Sequence, residues 1–244
     1  DEGFKFNSTS ANSWFVVGAI TTSQQESNNL LISINEFLRK YSLKRKLHKV
    51  TMKNLSHNQR KNLLGMLKKW KYSTCFSVFY KPQIAPNDPL VTYPSMYFVG
   101  VKNVIERLSW FAQQQRKDKV HIVISNRNNI KGEDLRRYLC INSVKATKNL
   151  TYWNKVGIVG LSSPINTPKL LLADYTASSM FFNLQKTGDA QVAETIYADI
   201  FLKGRLYSST HSRYKGVWNN GLKCTPGDLS LIENSGILEE GSHN

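Results

Sequence analysis

The chain has 244 residues, with 33 Lys plus Arg against 17 Asp plus Glu and a formal charge of +16. Hydrophobic side chains make up 41% of it, enough at this length to close one core, which excludes a disordered chain or one that needs staples. Three widely spaced cysteines, Cys75, Cys140 and Cys224, include no Cys-x-x-Cys pair, so neither a disulfide framework nor a zinc ribbon is written here.

Taken in chain order, strands and helices alternate. Phe15–Thr22 is short, apolar and β-branched, and reads as a buried strand. From Asn28 onward Leu30, Leu31, Ile34, Phe37, Leu38 and Tyr41 recur at helical spacing and make one apolar stripe. Ser56 with Gln59 three residues later is a capping-box signature for a second helix carrying Leu63, Leu64, Leu67 and Trp70. Tyr72–Tyr80 is strand-like, and Pro82, Pro86, Pro89 and Pro94 then mark a loop.

An amphipathic helix follows on Val101, Val104, Ile105, Leu108, Phe111 and Ala112, then a strand over Val120–Ile124 that closes on Asn126. Glu133–Asn142 reads as a short helix and Val156–Leu161 as a strand. Thr167 is the expected cap and Pro168 the first residue of a long helix through Gln185, because proline there loses no hydrogen bond that it needs. A last helix over about Ala190–Lys203 precedes a tail rich in Gly, Ser and Asn. The alternation predicts an α/β layer fold, a mixed sheet flanked by helices, in one domain over residues 1–227 with a tail over 228–244. No apolar run reaches membrane-span length and the first residues are polar, so a soluble, cytoplasmic protein without a membrane anchor is expected.

Charge is concentrated rather than spread. From Phe37 to Asn87 there are thirteen Lys or Arg and no Asp or Glu. A cationic stretch without acids repels itself, which favours a polyanionic partner; an acidic protein, a membrane surface or plain solubility are the competing explanations. Nucleic acid is the expected partner, with Lys44, Arg45, Lys46, His48, Lys49, Lys53, Arg60 and Lys61 as the binding candidates in this stretch and Arg127 as a further one. His48 has a general base or a phosphate grip as its functional reading, against an ordinary surface histidine. Trp70, Tyr72, Tyr80 and Trp153 are spaced as core residues rather than as a base-stacking series.

Familiar catalytic signatures are missing. No Gly-x-Ser-x-Gly elbow, no phosphate-binding glycine loop after a strand, and no zinc-binding histidine pair is present. What stands out is Asp174, which a rotation of about 100° per residue places within about 40° of a line through Leu170, Ala177, Phe181 and Leu184. A lone carboxylate in an apolar stripe is costly unless it is paired, hydrogen-bonded or bound to a cation. A salt bridge and a metal or active-site role are both open readings.

Several segments together resemble a family. They are the opening Asp1-Glu2-Gly3, the strand FVVGAI, the segment LHKVTMKNLSHNQRKNLL, the strand end ISNRN, the helix PKLLLADYTASSMF and the later GVWNNGLKCTPG. In order and spacing they resemble a bacterial and phage domain-of-unknown-function family with an Asp-Glu-Ser-Gly motif near its start and a late Leu-Gln-x-Ala-Asp-x-x-Ala motif. The resemblance spans roughly Asp1 to Gly227 and implies a ribonuclease-H-like fold with a metal-dependent phosphodiester hydrolase site on Mg2+ or Mn2+. It assigns Asp1, Glu2 and Asp174 as catalytic acids, with Asp1 and Asp174 as metal ligands.

Three departures bear on that assignment. Gly3 stands where the family has Ser, Lys46 where it tends to have Glu, and Asn126 where it tends to have Asp. A hard cation wants oxygen ligands and negative charge, so Lys46 and Asn126 predict a weakened site, and Lys46 is a candidate partner for Asp174. The family's opening Asp ends a strand, which implies residues upstream of Asp1 in the natural chain. The expectation is therefore a nucleic-acid-binding protein with a nuclease site, or an inactive binding or assembly subunit that uses Arg39–Lys71, with a protein partner or homo-oligomer as a further possibility.

Overall fold

The computed structural model describes residues 13–43, 50–127, 130–144, 151–184, 197, 200–202, 205–206 and 221–225. Ten principal elements lie within them. They are β1 (Trp14–Thr21), α1 (Gln24–Lys40), α2 (His57–Leu67), β2 (Ser73–Tyr80), α3 (Tyr93–Gln114), β3 (Val120–Ser125), α4 (Gly132–Val144), β4 (Val156–Ser162), α5 (Leu170–Leu184) and β5 (Leu222–Thr225). Short 3-10 turns punctuate them, two of which, Lys81–Gln83 and Pro89–Val91, take up the proline-rich loop.

The fold is mixed α/β, and its described strands fall into two sheets rather than one. β1 pairs antiparallel with β2 from Trp14 against Tyr80 to Thr21 against Ser73, and β2 pairs parallel with β5. β3 and β4 form a parallel pair in which Ser125 lies opposite Ser162. β2 is central in its sheet, and Cys75, Phe76, Val78 and Phe79 are buried on alternating faces, as a strand covered on both sides requires.

Helices cover both faces of the β1–β2–β5 sheet. On one side Leu30, Ile34, Phe37 and Leu38 of α1 pack with Leu63, Leu64 and Leu67 of α2 and Leu171, Tyr175 and Met180 of α5. On the other side α3 presents Val101, Val104, Ile105 and Leu108, which reach on to Ile122 and Ile124 of β3 and to Leu135 and Leu139 of α4. Two glycines permit the close approaches. A Cβ on Gly18 would meet the Ala177 backbone at 3.0 Å, and one on Gly100 would meet Val17 Cγ2 at 2.6 Å.

Local chemistry sets the helix starts. Ser23 Oγ accepts from Glu26 N–H at the start of α1, so this helix begins one turn earlier than its apolar stripe suggests. Ser56 and Gln59 form the reciprocal capping box of α2. α5 departs from expectation: Thr167 and Pro168 do not open it. The Thr167 hydroxyl instead pairs with Ser162 Oγ at 2.7 Å, and three successive turn bonds onto the carbonyls of residues 167–169 lead into the helix at Leu170. Of the expected helix over 190–203, Tyr197, Ile200 and Phe201 are described and helical. Among the described residues no helix is long and apolar enough to cross a membrane.

Candidate functional site

A cleft of about 1360 Å³ separates the two sheets. One wall is β1, every residue of which from Phe15 to Thr21 touches the cleft, and the other is β3 with its extension, Val120 to Arg127. α3 closes one side, and Leu170, Ala173, Asp174 and Ala177 of α5 close the other. Lysines and arginines line it: Lys71, Lys117, Lys119, Arg127 and Arg205, against the acids Asp118 and Asp174.

Asp174 sits where α5 faces this cleft. Its helix buries Leu171, Leu172, Tyr175, Ser179 and Met180 in the core, while Ala173, Asp174 and Ala177 are half-buried on the cleft side. The carboxylate is therefore beside the apolar stripe rather than within it. Asp174 Oδ2 accepts the Met52 N–H at 3.2 Å, and its neighbour Tyr175 donates its hydroxyl to the Val50 carbonyl at 2.8 Å. Burial raises the Asp174 carboxyl above its ordinary value, and the Met52 hydrogen bond and the Arg127 guanidinium pull it back in part.

These two bonds join features far apart in sequence. Val50 and Met52 lie within the acid-free basic stretch, and both are buried against α5. Arg60 completes the anchor. Its Nε donates to the Met52 carbonyl at 2.7 Å, and its guanidinium lies over Phe182 at 4.8 Å and Tyr197 at 5.6 Å. Arg60, a nucleic-acid-binding candidate by sequence, thus serves packing as well. Lys53 is exposed and Lys61 half-exposed on the same part of the molecule.

Asn126 and Arg127 extend β3 and are exposed at the cleft. Asn126 N–H donates to the Ser162 carbonyl at 2.7 Å, which holds the end of β3 against β4. Asp1, Glu2, Lys44, Arg45, Lys46, His48 and Lys49 lie outside the described residues, and with them the expected pairing of Lys46 and Asp174. The aromatic residues belong to packing: Trp70 Nε1 donates to Ser33 Oγ, Tyr72 to the Phe201 carbonyl, and the Tyr80 ring lies tilted against Trp14 with centroids 4.6 Å apart.

Of the cleft-lining cations, Lys71 ends the basic segment read from the sequence, whereas Lys117, Lys119 and Arg205 were passed over. Lys117 and Lys119 flank Asp118 in a turn that carries no signature, and Arg205 reaches its place by donating to the Lys68 carbonyl and lying over Tyr72. Only the excess of cations over acids in the chain hinted at them.

Beside Asn126 and Arg127, the described residues offer a divalent cation one carboxylate, that of Asp174, with a neutral amide and a guanidinium. Among the described residues no group of three or more His, Cys, Asp or Glu is placed to hold a metal. That set does not fit Mg2+ or Mn2+ by itself, since a hard cation takes about six oxygen ligands with negative charge among them. No protein-family model, curated protein or solved structure matches the chain.

Proposed function

We propose that this chain is a nucleic-acid-binding protein on a ribonuclease-H-like frame, with its cationic stretch Arg39–Lys71 as the main contact to the phosphate backbone. The observation that carries this reading is the bond from Met52 N–H to Asp174. It ties the middle of an acid-free basic stretch to a half-buried acid at the wall of a cation-lined cleft. Lysines and arginines around such a cleft displace the counterions condensed on a polyanion, which favours association at low salt. Arg127 adds a planar donor at the end of β3 that suits a phosphate oxygen.

A metal-dependent phosphodiester hydrolase centre is the second part of the proposal. It would consist of Asp1, Glu2 and Asp174 on Mg2+ or Mn2+, the metal polarising the phosphoryl group. Asn126 in place of an acid and Arg127 beside Asp174 favour weak metal binding. They also support the alternative, an inactive binding or assembly subunit.

Calorimetry with magnesium and then manganese tests the hydrolase part, on the wild-type chain and on Asp174→Asn. Heat of binding that the substitution removes supports a metal centre. A well-folded wild-type protein that binds neither ion sinks it and leaves the binding subunit. Nucleic-acid affinity measured between 50 and 200 mM salt tests the first part: about 10³-fold loss or more is expected if six or more phosphates are contacted, and an unchanged affinity refutes it.

A further inference from the structure

We propose that the outer edge of β4, with the groove between β4 and α4, takes an extended peptide segment of a protein partner as an added strand, one with apolar residues at alternate positions and an acidic side chain. This surface is separate from the cleft, which is lined by β3 and by no residue of β4. β4 pairs on one side with β3 and has no strand on its other side among the described residues.

Two hydrogen bonds fix which way the backbone faces. The Ser162 carbonyl accepts from Asn126 N–H at 2.7 Å, and Ile158 N–H donates to His121 Nδ1 at 3.3 Å, so both residues turn their peptide groups toward β3. Alternate residues of a strand turn theirs opposite ways, so Val159 and Leu161 present N–H and C=O at the outer edge. Natural edges are guarded by lysine, proline, an inward charge or a bulge. β4 has no charged residue and no proline from Val156 to Ser162. Its one irregularity, an extra residue opposite His121, falls ahead of Val159 and leaves Val159–Ser162 regular.

A groove of about 420 Å³ follows this edge, lined by Val156, Gly157, Val159 and Leu161 of β4. Its other wall is α4, through Arg136, Cys140 and Ser143, which recur at i, i+4 and i+7 and so share one stripe of the helix. The opposite stripe is occupied: Tyr138 lies against Phe98 of α3 with ring centroids 5.5 Å apart. The groove therefore opens on the side of α4 away from α3, over the outer edge of the sheet. A strand laid along β4 sends every second side chain into it, so that main-chain bonds supply affinity and the groove supplies specificity.

Charge selects the occupant. Arg136 is exposed on the groove stripe, and no Asp or Glu lines the groove. An acidic side chain in the added strand complements that rim, and the chain's charge of +16 favours an acidic partner on approach. A second copy pairing β4 to β4 would bring no acid to Arg136, since β4 has none. Nucleic acid has no row of peptide groups to pair with Val159 and Leu161, which makes the partner a polypeptide.

The test is selection of random short peptides displayed on phage against the full chain, followed by amide exchange with a selected peptide made synthetically. Selected peptides should alternate apolar residues and carry an acid. Bound, they should slow exchange at Val159 and Leu161 by about tenfold or more and leave β2 unchanged. Arg136→Glu, at an exposed position, should weaken them by about tenfold or more. A bulky maleimide on Cys140, the exposed cysteine of the three, should block them. N-methylation of alternate peptide amides should abolish binding in one set and spare it in the other; equal effects of the two sets overturn strand pairing. Failure to select any peptide, or unchanged exchange at Val159 and Leu161, also overturns the proposal. So does protection of these amides in the chain alone that grows with concentration alongside a doubled mass, which would make a second copy the occupant. Neither nucleic acid nor metal enters this readout, so its failure is separable from that of the functional reading above.

Discussion

Replacing Tyr175 by Phe removes one oxygen from a fully buried ring and leaves its packing in place. The Tyr175 hydroxyl donates to the Val50 carbonyl at 2.8 Å, and Val50 is itself buried. Phenylalanine leaves that carbonyl without this donor, at a cost of about 1–2 kcal/mol. For a chain of this size that lowers the midpoint of thermal unfolding by about 2–4 °C per kcal/mol. Val50 lies within the basic stretch, so the same change loosens the anchor of that stretch on α5. Nucleic-acid affinity should fall with it, by at most about thirtyfold if the whole 1–2 kcal/mol is felt in binding. Urea unfolding and fluorescence anisotropy with a labelled oligonucleotide, run on both proteins at one salt concentration, read the two effects. An unchanged unfolding midpoint would refute the role given to this hydrogen bond, and lower stability with unchanged affinity would refute its link to the basic stretch.

Asp174→Asn should change how stability depends on pH. Burial raises the carboxyl in the folded state above 3.8, so the folded chain holds this proton more tightly than the unfolded chain. Its stabilising contribution is full below 3.8 and is lost as pH rises through the folded value; asparagine lacks that slope. Urea titrations from pH 3 to pH 7 should show the variant gaining on the wild type as pH rises, and the opposite trend would contradict the burial argument. Gly18→Val should lower stability by about 1–3 kcal/mol, because its Cβ meets the Ala177 backbone and neither element yields easily; differential scanning calorimetry measures it. Ser56→Ala removes one half of a capping box and should cost about 1 kcal/mol in the same assay. Arg127→Gln should weaken nucleic-acid binding and reduce the salt slope by about one, whereas an unchanged slope removes Arg127 from the contact.

Local signals carried most of the secondary structure. The Ser56–Gln59 box is written within four residues and forms as written, and the short β-branched runs become β1 to β4 nearly residue for residue. Signals that depend on distant partners were harder to read. Thr167 looks like a cap until Ser162 takes its hydroxyl. The wheel drawn through Leu170, Asp174 and Ala177 finds a real face of α5, but this helix is apolar on several sides and only tertiary packing decides which one meets the core. The single sheet expected from alternating elements is described as two, because hydrophobic periodicity reports that a strand is buried and not which strand lies beside it. The oddity of Asp174 was legible; its partner was not, since Met52 lies 122 residues away and donates through a backbone N–H that any residue would carry.

If the basic stretch holds a polyanion, as proposed, the bond from Met52 to Asp174 sets a titratable carboxyl next to it. A polyanion drawn into the cleft adds negative potential at a carboxyl already reluctant to ionise, and so favours its protonated form. Linkage is reciprocal: a ligand that draws a proton onto Asp174 binds more tightly as protons become more available. The cleft would then act as a proton-coupled receptor, taking up acid as it loads and giving it back on release.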